Sequence, residues 1–153
     1  YRYFKRGDIE KAMELFDQAI ELETSVTNKA EMCYKAAVAN YSLKKFAKAR
    51  EYAQKAISLN SKYGAPYILI AQCYAASPNW HEKPTMNKCT YFVVLDKLNR
   101  AKAVDPSSKR EADKLIAIYS KHTPKVEDLF MRGYEAGKSV KIGGWINETT
   151  RIR

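Results

Sequence analysis

Laid over itself with a shift of 37 residues, the chain matches its own pattern. "GDIEKAMELFDQAIELET" from Gly7 aligns with "KKFAKAREYAQKAISLNS" from Lys44, placing Ala12, Ala19 and Leu22 on Ala49, Ala56 and Leu59. A third copy closes in "LNRAKAVDPSS", where Ala101 follows Ala56 at an offset of 45. A period in this range restricts the fold more than any other feature. A unit of this length is one supersecondary element that cannot bury its apolar face alone, so the units must stack.

Residues 30–63 show the unit most fully. One stretch places Cys33, Ala36, Ala37 and Asn40 on one side, and the next has Phe46, Ala49, Tyr52, Ala53 and Ala56 at helical spacing. Each unit therefore reads as two amphipathic helices, with alanines where they cross closely and aromatics in the gaps. These units resemble tetratricopeptide repeats, whose pattern is W-x2-L-G-x2-Y, then A-x3-F, A and P. Gly7, Asp8, Ala12, Phe16 and Ala19 fit a truncated first unit, and Tyr67, Ile70, Ala71, Tyr74, Ala101 and Pro106 fit a third. In the second unit Cys33 stands at the Trp position, Ala36 and Ala37 at Leu-Gly, and Asn40 at the Tyr. The expected fold is all-α: a helix-turn-helix solenoid of about three repeats plus capping helices, with a small C-terminal β-hairpin.

The third unit is longer. "AASPNWHEKPTMNKC" follows Tyr74, so a loop is expected between Pro78 and Pro84, then a lengthened helix from about Thr85 to Val104. Long loops on repeat scaffolds often carry binding, which makes Trp80 and His81 interaction candidates. After Pro106 a further helix is expected, with Ser108 and Glu111 as a capping box and Ala112, Leu115, Ile116 and Tyr119 as its stripe. Thr123 as N-cap, Pro124 in the first turn and Gly137 as stop predict another helix, with Val126, Leu129, Phe130 and Tyr134 facing inward. The repeats and capping helix thus occupy 1–122, and the short helix and hairpin 123–153.

The tail "KSVKIGGWINETTRIR" changes period from 3.6 to 2. Val140 and Ile142 alternate with Ser139 and Lys141, and Gly143-Gly144 is a hairpin turn signal. A two-stranded hairpin is marginal alone in water, so this one must lean on the helices through residues such as Trp145. Two readings stand: a cap over the solenoid's last helix, or an open edge that pairs with another strand in docking or dimerisation. The tail also resembles bacterial tetratricopeptide proteins that end in a GGWINETT-type segment. That resemblance implies export to the cell envelope or periplasm, with a cytoplasmic location as the alternative. The chain starts inside a pattern and without Met, as expected for a piece of a longer protein.

No catalytic motif is present. His81 and His122 are distant in sequence, the three cysteines lack CxxC spacing, and no phosphate-cradling glycine loop occurs. Neither an enzyme nor a cofactor or metal is expected, and Cys33, Cys73 and Cys89 read as buried thiols, with a Cys73–Cys89 pair as the alternative. The net charge of +10 is spread as +4, +2 and +4 over residues 1–63, 64–108 and 109–153, against specific nucleic-acid binding. No apolar run is long enough for membrane insertion.

The expected function is therefore interaction with a protein or peptide. By the geometry that the family resemblance implies, the first helix of each pair lines a concave groove, here through Phe4, Glu31, Tyr34, Lys35, Val38, Tyr41, Ser42, Ile68, Leu69, Gln72, Arg110, Asp113 and Lys114. The Lys/Asn clamp by which some family members grip a terminal carboxylate is absent, since Tyr34, Val38, Ile68 and Gln72 hold those positions. An apolar or mildly acidic peptide is expected instead. The competing expectation is a structural assembly or spacer module, acting through the hairpin edge and the open N-terminal face; exposure of Tyr1, Tyr3 and Phe4 by truncation would also give a homodimer without biological meaning.

Overall fold

A computed structural model of the chain describes residues 6–153, with side chains from Glu10 onward. The helices are α1 (Arg6–Leu22), α2 (Val26–Ser42), α3 (Phe46–Leu59), α4 (Ala65–Ala76), α5 (Pro84–Lys88), α6 (Thr90–Val104), α7 (Lys109–Tyr119) and α8 (Val126–Phe130). Strands β1 (Ser139–Ile142) and β2 (Glu148–Arg151) form an antiparallel hairpin. Helix α2 packs on α3, α3 on α4, α4 on α6 and α6 on α7, which is the stacking order of a helix-pair solenoid.

Alanines set the close approach of the first complete pair. Ala36 and Ala37 of α2 and Ala49, Ala53 and Ala56 of α3 are all fully buried, with no side chain to hold the backbones apart. Asn40 is buried among them, and its amide donates to the Ala36 carbonyl at 2.9 Å. The turn between the two helices passes through Lys44 at φ 60°, letting α3 fold directly back on α2. Tyr52 of α3 donates its hydroxyl to Asp17 of α1, joining the first unit to the second. Helix α4 lies between the α2–α3 pair and its own partner α6 and is buried nearly all round, through Pro66, Ile68, Leu69, Ile70, Ala71, Cys73 and Tyr74.

The junction between α3 and α4 is unusually tight. Gly64 donates its N–H to Asp105 Oδ2 at 2.9 Å, and Asp105 also accepts from the Ser107 amide at 3.1 Å. A Cβ on Gly64 would lie 2.3 Å from Ser108 Oγ and 2.8 Å from Asp105 Cβ. Gly64→Ala is expected to destabilise the fold by about 1–3 kcal/mol, the usual range for overpacking, measurable as a lowered urea midpoint at unchanged slope.

Several local expectations are corrected. The long helix after Pro84 is two helices, α5 and α6, broken at Cys89. Ser108 caps nothing with its side chain; its hydroxyl turns to Asp105 Oδ2 at 3.3 Å, and Asp105 caps the short 3-10 turn Pro106–Ser108 that leads into α7. Pro124 is buried and Lys125 is extended, so α8 starts only at Val126 and ends at Phe130. Such a short helix buries only Leu129, and Val126 and Phe130 are 53% and 67% exposed rather than inward-facing. Gly137 stops no helix: at φ 84° it starts the hairpin, donating to the Ile152 carbonyl at 2.6 Å.

The hairpin turn is also longer than two residues. Ile142 pairs with Glu148, leaving a five-residue connection, 143–147, with positive φ at Gly144 and Asn147. Val140, Ile142, Ile146, Thr150 and Ile152 are buried, while Lys141, Thr149 and Arg151 face outward. The buried face does not lie on the last helix of the stack. Its contacts go to α3, α4 and α6, across the flank of the second and third pairs.

Candidate functional site

The first helices of the pairs place most of the groove candidates. On α2, Tyr34, Val38 and Tyr41 are half-buried, while Glu31, Lys35 and Ser42 are exposed. The Tyr34 ring lies 5.5 Å from Tyr63, and Tyr41 lies 5.7 Å from Phe46. Burial, and secondarily the Glu111 carboxylate of α7, hold the Tyr34 hydroxyl above its ordinary value. Tyr119 of α7 is likewise raised by burial, with Tyr41 and Tyr91 adding to it. Burial with Tyr34, Glu31 and Asp105 pushes Tyr63 up to about 12. Side chains of α2 and α7 thus come within electrostatic reach of each other.

Not every candidate reaches this face. Ile68 and Leu69 are 4% exposed and belong to the core, because α4 is enclosed by helices on both sides. Gln72 is half-buried on the same helix. Asp113 is engaged by Lys102 at 2.7 Å and Lys109 at 3.5 Å, a surface ion-pair cluster tying α6 to α7. Arg110 and Lys114 are exposed. Phe4, like Tyr1 and Tyr3, lies outside the described residues. Tyr63 and Glu111 were not legible as members of this face: Tyr63 lies beyond the end of α3, and Glu111 reads as a helix-capping residue.

The two tryptophans are occupied by the fold. Trp80 covers the hairpin turn so closely that a Cβ on Gly143 would lie 3.0 Å from its ring. Its Nε1 is buried and finds no acceptor among the described residues, so the ring surface is what it contributes. Trp145 packs edge-on against Tyr74 at 5.3 Å and donates Nε1 to Ser77 Oγ at 3.0 Å. Neither offers a free ring to a partner. His81 is held from behind: Asn87 Oδ1 accepts from the Trp80 and His81 amides at 2.9 and 2.8 Å, and Asn87 Nδ2 donates to the His81 carbonyl at 2.8 Å.

Arg50 of α3 is the fastening point of the hairpin. Its guanidinium donates to the Trp145 and Ile146 carbonyls, both at 2.8 Å, and to the Tyr74 hydroxyl at 3.0 Å. It also lies 4.8 Å from the centre of the Trp145 ring. Tyr74 in turn donates to Glu148, whose other oxygen meets Lys97 at 2.8 Å. Thr150 donates to Asp96 at 2.6 Å, and Arg153 meets the same carboxylate. The polar residues on the inner strand face are thereby satisfied by helix partners.

Among the described residues no group of three or more His, Cys, Asp or Glu side chains is placed to hold a metal. No described helix is long and apolar enough to cross a membrane. Cys33, Cys73 and Cys89 are all free and buried; burial pushes Cys73 up to about 12 and Cys89 to about 11, far from thiolate reactivity.

No curated protein matches the chain. Repeats of the kind seen in the first two units generally mediate protein–protein contact and scaffolding, and are typically not catalytic. Residues 3–25 and 30–63, the stretches that hold α1 and most of the α2–α3 pair, match the family model described as tetratricopeptide repeat.

Proposed function

We propose that the face made by α2, α4 and α7 holds an extended segment of a partner protein. The observation that carries this reading is the half-buried strip of Tyr34, Val38 and Tyr41 with Leu115 and Tyr119, bordered by the exposed cations Lys35, Arg110 and Lys114. Such a strip offers aromatic anchor surface at little entropic cost, and the cations suit a segment with an acidic flank.

Capture from native extract tests it, with the chain beside Tyr34→Ala/Tyr41→Ala. The pair is expected to weaken a groove-bound partner at least about tenfold, since interface aromatics carry about 2 kcal/mol or more each. A partner held equally by both proteins removes the reading.

A second reading, assembly through the hairpin, is favoured by one observation: a two-stranded sheet leaves an unpaired edge on each strand. It expects a concentration-dependent rise in sedimentation coefficient that Tyr34→Ala/Tyr41→Ala leaves untouched.

A further inference from the structure

The extra residues of the third unit and the turn after α7 face each other across a cleft of about 730 Å³. That volume lies within the range of small-molecule sites, about 300–1,000 Å³. Here the fold unites the two histidines that are 41 positions apart in sequence: His81 on the loop wall and His122 on the opposite one. Lys88 of α5, with Lys121 and Lys125 beyond α7, adds three cations to the lining, and Tyr91 of α6 also lines it.

The charge here is uncompensated. Among the described residues no carboxylate lines the cleft, and none of the three lysines forms an ion pair with a described residue. Three exposed lysines lining one hollow, with no carboxylate among its lining, favour a counter-charge there. The imidazoles are also organised. His122 stacks on Tyr91 with centroids 5.1 Å apart. His81 Nδ1 accepts the Lys83 amide at 3.0 Å, which leaves the proton of the neutral ring on Nε2 as a donor. Asn87 fixes the backbone on which that ring stands.

We propose that this cleft binds a small polyanion, a metabolite-sized ligand carrying two or more phosphate or carboxylate groups. Lys88, Lys121 and Lys125 neutralise its charge, and His81 donates through Nε2. A small ligand fits better than an acidic peptide because the cations converge on one hollow, whereas an extended peptide needs them along a stripe. The site draws on lysines and histidines outside the α2 face and does not depend on the partner proposed for it, although Tyr91 in its wall lies 6.0 Å from Tyr119 of that face.

Calorimetric titration of the full chain with pyrophosphate and, separately, with citrate tests the site. Saturable 1:1 binding of either is expected, and which one binds assigns the anionic group. Lys88→Glu/Lys121→Glu is expected to weaken it about tenfold or more, against less than about twofold for the control Lys44→Glu/Lys48→Glu, which carries the same charge change elsewhere. In the unsubstituted chain, the ring signals of His81 and His122 should shift together as ligand is added. Absence of saturable binding to both anions would overturn the proposal. So would equal weakening by the control pair, which would show a general charge effect, or preference for a polyglutamate peptide over both small anions.

Discussion

A chain ending at Gly137 is expected to lose its cooperative unfolding transition rather than to persist as a shorter solenoid. The missing segment contributes Val140, Ile142, Ile146 and Ile152, each 5% exposed or less. Burying one such side chain is worth about 1.5–3 kcal/mol, so the four together approach about 6–12 kcal/mol, comparable to the whole stability of an ordinary domain at about 5–15 kcal/mol. The loss also uncovers Tyr74 and strips Glu148 and Thr150 from their helix partners. Urea titration followed by far-ultraviolet circular dichroism should show a broad, shallow loss of helix. A sharp transition at an unchanged midpoint would mean that the helices stand without the hairpin. The outer face gives the contrast: Lys141→Ala or Arg151→Ala should change stability by no more than about 0.5 kcal/mol.

Arg50→Ala should have the next largest effect, about 3 kcal/mol. Removing the guanidinium leaves the Trp145 and Ile146 carbonyls without their donor, and each unsatisfied group in a water-poor site costs about 1–3 kcal/mol. Arg50→Lys should recover less than half of that loss, because one ammonium cannot reproduce a planar fork reaching two carbonyls and a hydroxyl. Equilibrium denaturation gives the magnitude, and hydrogen exchange gives the location, with faster exchange expected first in 139–152. A loss below about 0.5 kcal/mol for Arg50→Ala would show that the apolar face alone holds the hairpin.

The helix pairs were legible because alanines recur at fixed offsets, and a close helix crossing tolerates little else at Ala37, Ala49 and Ala56. What failed to read out depended on neighbours distant in sequence. Ile68 and Leu69 sit at positions that line an open surface in an isolated pair, yet α4 is enclosed from both sides and they are core. Gly143-Gly144 signals a turn, but Trp80 above Gly143 and the burial of Ile146 make the connection five residues long. Arg50 looks like any solvated cation in "LKKFAKAR" until the carbonyls it holds are brought to it. The two-histidine cleft was hidden for the same reason, since its walls come from an inserted loop and a turn on different units.

The Arg50 fastening joins residues 95 and 96 positions apart. In a simple stack each unit contacts only its neighbours, so order can spread along the chain from any nucleus and the ends can fray alone. Here α3 is finished only when residues 145–146 arrive, so loop closure over most of the described chain precedes the reward. Refolding should therefore be slower than local helix pairing implies, as for proteins of higher contact order. During synthesis the second pair must wait, with part of its flank bare, until the hairpin connection that covers it has emerged.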